Sequence, residues 1–273
     1  MLLFSGAVAI GLMVGSFLNV VILRLPTMLE YIWQKDFAEY SEVEFSKKRP
    51  PGIALSRSHC PKCKKQLSAW HNVPVVSYLF LRGSCYFCKN KISIRYPLVE
   101  LLTALFTLFM AYQFGFGLNL LAACLLLWVL MVITWIDIDT YLIPDQLSLS
   151  LLWLGLFFSL FDFSISSEHA IQGALVGYLS LWSVFHLFKL ITGKEGMGYG
   201  DFKLLAAGGA WLGPELLIVV LFIASVSGLL VALLQAMIKK GNNKIPFGPY
   251  LSIGIMVSYI YGDLIVGALF PGL

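Results

Sequence analysis

Long apolar stretches alternate with short polar ones along most of the chain. Apolar runs occupy Leu2–Leu23, Pro97–Phe114, Leu118–Ile136, Leu147–Leu160, His169–Leu190, Phe202–Leu212, Pro214–Met237 and Pro246–Phe270, eight in total. A helix needs about twenty apolar residues to cross the hydrocarbon of a bilayer, and most of the runs approach that length. The pattern predicts an all-α polytopic membrane protein with about eight transmembrane helices. Positive charge follows the first run, at Arg24, and does not precede it. A cleaved secretory leader has the reverse order, so the run reads as a retained helix. Phe202–Leu212 is the exception in length, since as a helix it rises only about 16 Å. A short, glycine-rich helix beside a wet cavity or a thinned bilayer accommodates it.

Composition supports the bilayer as solvent. Of 273 residues, 59% are hydrophobic and only 12% charged, whereas soluble domains carry about a quarter charged residues. The 24 glycines suit close helix packing in lipid. Thirteen of the nineteen Lys and Arg residues lie between Arg24 and Arg95. With the N-terminus outside, the inside segments are 24–96, 137–146, 190–201 and 238–245. They hold every Lys and Arg except Lys189 and Lys203, which sit at their edges. Outside segments such as 161–168 hold none. The positive-inside rule then predicts an N-terminus outside the membrane and the inside segments on the cytoplasmic side. Glu30, Asp36, Glu39, Glu42 and Glu44 dilute the basic loop, so membrane lipid is the expected surface partner and nucleic acid is not. Three segments follow: residues 1–26 as the first transmembrane helix, 27–96 as a cytoplasmic domain, and 97–273 as a transmembrane helix bundle.

The cytoplasmic segment carries Cys60-Pro61-Lys62-Cys63 and Cys85-Tyr86-Phe87-Cys88, separated by 21 residues. Two such knuckles can give four thiolates to one tetrahedral Zn²⁺. Four ligands leave no open position for water, so the metal would be structural. Free thiols or redox pairs are the alternative. His59 and His71 read as surface residues, and Cys124, inside an apolar run, as a small buried hydrophobe.

Acids in or beside membrane helices are costly and each needs an account. Asp137 and Asp139 end the third run, Asp145 follows Pro144, and Asp201 closes the segment Gly198-Tyr199-Gly200-Asp201. Charge topology places all four on the cytoplasmic side. Two neighbouring carboxylates share a proton. One can then deprotonate a water while the other, protonated, polarises a scissile carbonyl. On a helix Asp137 and Asp139 point about 200° apart, so only one faces the bundle; spacing does not choose between them. Asp145 suits the first turn of the next helix. Asn19 and Glu100, polar residues in apolar runs, suit interhelical hydrogen bonds.

The paired segments resemble those of the GxGD intramembrane aspartyl proteases, and specifically the type 4 prepilin peptidases. In that family the first acid lies seven residues before the Pro of an Ile/Leu-Pro-Asp/Asn motif. The resemblance therefore selects Asp137 and Asp201 as the catalytic pair. Gly15-Ser16-Phe17-Leu18-Asn19-Val20-Val21-Ile22 with Arg24-Leu25-Pro26, and Arg95-Tyr96-Pro97-Leu98-Val99-Glu100, are similar to two further family signatures. The resemblance implies a bacterial inner-membrane protein, its outside N-terminus periplasmic, that cleaves the basic leader of prepilins or pseudopilins at the cytoplasmic face. It further implies N-methylation of the new N-terminal residue with S-adenosyl-L-methionine, at residues that the motifs do not identify. The competing readings are a proton-coupled transporter, a zinc-anchored scaffold without activity, and a peptidase lacking the methyl step.

Overall fold

The computed structural model describes residues 2–54, 56–60, 62–161, 165–238 and 245–269. Among them every regular element is helical: α1 (Leu2–Tyr40), a 3₁₀ turn (Ala69–Asn72), α2 (Val76–Phe80), α3 (Arg95–Phe114), α4 (Leu118–Thr140), α5 (Asp145–Ser159), α6 (Ser167–Thr192), α7 (Tyr199–Leu212), α8 (Leu217–Ile238) and α9 (Gly248–Leu269). Each of the eight apolar runs becomes a helix. Five of these, α1, α3, α4, α6 and α8, are long and apolar enough to cross a membrane. The protein is thus an all-α, multi-pass membrane protein.

α1 does not stop at Arg24–Pro26 but continues to Tyr40. Pro26 lacks an N–H and leaves the Ile22 carbonyl without its intrahelical donor. The residues beyond it, including Met28, Leu29, Glu30, Gln34 and Lys35, are good helix formers. Gln34 Nε2 also donates to Glu30 Oε1 at 2.8 Å, an (i, i+4) bridge on the exposed side.

The chain forms two compact units, Met1–Cys124 and Leu125–Leu273, divided within α4. In the first, α1 and α3 pack side by side. Gly11 and Gly15 let their backbones meet: a Cβ would fall 2.6 Å from Ala104 Cα at the former and 2.8 Å from Glu100 Cα at the latter. This is the small-xxx-small contact that brings membrane helices together without a hydrophobic driving force.

In the second unit α7 is the centre, with α5, α6, α8 and α9 packed on it. Gly173 and Gly177 of α6 repeat the four-residue spacing and press on the α7 backbone at Gly209 and Leu205. The Trp211 indole N–H donates to the Leu151 carbonyl of α5 at 2.9 Å, so its polar atom is satisfied inside the bundle. From Phe202 to Leu212 every α7 residue except Lys203 is buried. That burial corrects the expected wet cavity or thinned bilayer. A helix of 14 residues suffices here because neighbouring helices, rather than lipid, cover it.

Candidate active site

Three helix ends converge in the second unit. α4 terminates at Tyr141, whose left-handed backbone (φ 56°) turns its N–H onto the Asp137 carbonyl at 2.9 Å, a helix-stop motif. Asp137 therefore sits in the last turn. Its side chain faces inward and the residue is 4% exposed, whereas Asp139, 200° around the helix by geometry, is exposed. Asp137 Oδ2 accepts the N–H of Gly248, the first residue of α9, at 2.9 Å. Only glycine fits there, since a Cβ at position 248 would lie 2.6 Å from that same oxygen.

Asp201 is the third residue of α7 and is 7% exposed. Its carboxylate lies beside the N-cap, where a Cβ at Gly198 would come 3.8 Å from Oδ2, the place an acid at the third helical position takes in a capping box. The helix dipole also presents its positive end to this carboxylate. Ile143, in the short link between α4 and α5, joins the two halves. Cβ atoms at Gly200 and Gly248 would approach the Ile143 side chain to 2.8 and 2.9 Å respectively. The starts of α7 and α9 thus close on one isoleucine, and Asp137 is near enough to act electrostatically on Asp201. Asp145 lies apart from this pair. It opens α5 and binds Lys203 Nζ through both carboxylate oxygens at 2.7 Å.

Gly248 and Ile143 were not singled out by the sequence reading. Pro246-Phe247-Gly248-Pro249 carries a visible turn signal. A turn signal does not reveal that its N–H meets a carboxylate 111 residues away.

The four knuckle cysteines come together in the first unit. Their sulfurs all lie within 4.8 Å of one another, with Cys60 Sγ and Cys88 Sγ 3.9 Å apart. Tetrahedral zinc with bonds of about 2.3 Å sets its sulfurs ~3.8 Å apart, so the donor set fits such an ion. The knuckles share one design. Cys60 N–H donates to the Lys65 carbonyl and Lys64 N–H to the Cys60 carbonyl; Cys85 with Asn90, and Lys89 with Cys85, repeat both bonds at 2.9–3.0 Å. Lys64 and Lys89 both take left-handed conformations. The Cys63 backbone N–H, opposed by burial, brings the Cys60 thiol down to about 6, while Cys88, against the Asn90 N–H, is pushed up to about 11 by burial and the other three sulfurs; the four thiols share their ionisation. His59 and His71 are half-buried and outside the cluster; His71 stacks on Tyr86 at 4.7 Å. Cys124 is buried as expected. Asn19 makes the anticipated interhelical bond, donating from Nδ2 to the Tyr96 carbonyl at 3.0 Å.

A helical membrane protein that seats two buried carboxylates at facing helix ends belongs to the polytopic proteins with a paired-acid centre. Comparison with known proteins supplies the family. Residues 9–114 match the bacterial Peptidase A24 N-terminal domain, and residues 124–233 match the type IV leader peptidase family. The chain is 48% identical over 268 residues to a prepilin leader peptidase/N-methyltransferase of Stutzerimonas stutzeri, covering 96% of this chain and 92% of that protein. Proteins of the same description from Aeromonas hydrophila (48% identity, 97% and 92% coverage) and Pseudomonas aeruginosa (46% identity, 94% and 90% coverage) are also similar. The chain belongs to the type IV leader peptidase family. No solved structure matches it at a significant level.

Proposed function

We propose that this protein is an aspartic endopeptidase of the inner membrane that removes the leader of prepilins or pseudopilins and N-methylates the exposed amine. The observation that carries the peptidase reading is the burial of Asp137 and Asp201 in one site at the ends of α4 and α7. Such a pair holds one proton between two carboxylates. The ionised member takes a proton from water as the water oxygen bonds to the scissile carbonyl carbon; the other gives its proton to the carbonyl oxygen. On collapse the carbon–nitrogen bond breaks and the departing amine takes up a proton. The Gly248 N–H holds the Asp137 carboxylate and burial in the first turn of α7 holds that of Asp201, so the geometry is set before substrate arrives.

In the methyl step, the free amine forms a bond to the donor's methyl carbon while the carbon–sulfur bond breaks. The electron pair stays on sulfur, and positive charge passes from sulfonium to ammonium. The similarity to relatives named as peptidase/N-methyltransferases supports this second activity. The charge distribution supports a periplasmic N-terminus, with the cysteine module of residues 27–96 and the acids on the cytoplasmic side. Cys60, Cys63, Cys85 and Cys88 would hold a structural Zn²⁺ that ties the two knuckles together.

Cleavage of a purified prepilin by wild type and by Asp137→Asn, Asp139→Asn and Asp201→Asn tests the site. Asp137→Asn and Asp201→Asn should lose about 10³-fold or more in rate, while Asp139→Asn keeps a rate close to wild type. Full activity in either of the first two overturns the assignment, and a scaffold or transporter reading would then take precedence. Elemental analysis should find one zinc per chain.

A further inference from the structure

The first unit contains a cavity of about 590 Å³ that the peptidase chemistry does not use. Small-molecule sites span roughly 300–1,000 Å³, so it has the size for one cofactor-scale ligand. Its lining is mainly apolar, with a small set of polar side chains among it. Ser16 and Asn19 of α1 face Tyr96 and Glu100 of α3, and Tyr78 and His71 of the cysteine module close the other side. Glu100 is the unusual member, a carboxylate only 8% exposed. Its hydrogen-bond donor is neutral, the Val75 N–H at 2.8 Å. Among the described residues this carboxyl group has no ion-pair partner, although Arg24, Lys62 and Lys91 line the same cavity. Val75 is held at φ 58°, a conformation costly for a β-branched residue. Its N–H bond to Glu100 holds that carboxylate on the cavity wall.

We propose that this cavity is the binding site for the sulfonium methyl donor, S-adenosylmethionine, with Glu100 as the counter-charge to its cationic end. The proposal rests on the methyl-transfer reading above and gives that activity a place. The chemistry of the lining fits the parts of such a ligand. Tyr78, Tyr96 and His71 offer flat faces for a purine. The Asn19 amide and its neighbours can meet ribose hydroxyls, and Lys62 and Lys91 at the border can meet the donor's carboxylate. A lipid tail would leave Glu100 and Asn19 facing hydrocarbon, which polar burial disfavours. The cavity also borders Cys60 and Cys85, so the metal module forms part of its wall.

The test uses the zinc-loaded, full-length protein in detergent. Calorimetric titration with S-adenosylmethionine and with its neutral thioether product should show binding of both to wild type. Glu100→Gln should weaken the cationic donor about tenfold or more, with a smaller loss for the thioether. Zinc retained at the wild-type level shows that the module around the cavity is folded in that variant. An azido-adenine analogue of the donor, photolysed on wild type, should label peptides within residues 16–24 or 58–100. Labelling confined to residues 125–273 overturns the assignment whatever the variant does. Methyl transfer with wild-type donor affinity in both Glu100→Gln and the cavity-filling Val20→Trp overturns the cavity alone. Absence of both donor binding and methyl transfer in wild type overturns the methyltransferase reading together with it.

Discussion

The four sulfurs of the first unit are held by two short loops, each closed by its own backbone hydrogen bonds within six residues. The two carboxylates of the second unit are held by the ends of three helices, and one of the bonds that fix them spans 111 positions. The sulfur site is local in its backbone and needs an ion to join its halves. The carboxylate site needs no ion, but it exists only if α7 is seated among α5, α6, α8 and α9. Damage to helix packing should therefore reach the acids and spare the sulfurs, and loss of metal should do the reverse.

The largest effect is expected where two backbones touch. A side chain at Gly173 would meet the Gly209 carbonyl of α7, and one at Gly209 would meet the Gly173 carbonyl. Backbone cannot rotate aside as a rotamer can, so Gly173→Val should destabilise by at least about 3 kcal/mol, the upper range for overpacking. We expect a lower melting temperature in detergent and loss of prepilin cleavage, with zinc content unchanged. Loss of zinc in that variant would show that the two sites are not independent and would break the comparison.

A subtler substitution isolates the acid pair from the fold. Gly248→Ala places a methyl 2.6 Å from Asp137 Oδ2, so either the carboxylate or the start of α9 must shift. A displacement near an ångström in such a site costs on the order of 10²-fold in rate. Cleavage should fall by about that factor while melting temperature changes little. Gly200→Ala should be milder, because the Ile143 Cβ that it would meet at 2.8 Å carries none of the reacting atoms. Equal losses in the two variants would mean that Ile143 itself positions the acids.

This contrast also explains what could be read before folding. The CxxC knuckles and the eight apolar runs are short-range signals, and each has its counterpart in the helices and loops observed. The end of α1 was not legible, because Pro26 reads as a stop although the following residues favour continuation. The reason that α7 can be short was hidden too, since burial on all sides depends on the packing partners of a helix, not on its composition. At the site, spacing left Asp137 and Asp139 open and family resemblance chose Asp137. Burial favours the same residue on physical grounds. Gly248 lay beyond reach because a donor supplied by a distant helix leaves no trace in local pattern.

Within the first unit, Cys60→Ser should reduce bound zinc well below one equivalent per chain. It removes a ligand from a cluster whose sulfurs are all mutually close, and structural zinc contributes folding energy directly. Limited proteolysis should then cut within residues 45–95 faster than in wild type, with helical circular dichroism preserved. If helicity were lost as well, the metal would be holding more than the two knuckles, and the boundary drawn at Cys124 would need revision.

The smallest effect sharpens the edge of the carboxylate site. Lys203 Nζ contacts both Asp145 oxygens at 2.7 Å, and the two side chains are 28% and 52% exposed. Water screens a pair of that exposure, so it contributes roughly 0–1 kcal/mol. Lys203 follows Asp201 by two residues and therefore projects about 200° away from it on α7. Lys203→Met should lower the melting temperature by about 1–4 °C and leave cleavage within about twofold of wild type. Raising salt should remove most of the difference in melting temperature, because screening weakens the ion pair in the wild type alone. If Lys203→Met instead reduced cleavage as strongly as Gly248→Ala, the link between α5 and α7 would itself be setting the position of Asp201. The acid site would then extend from the three helix ends to a fourth.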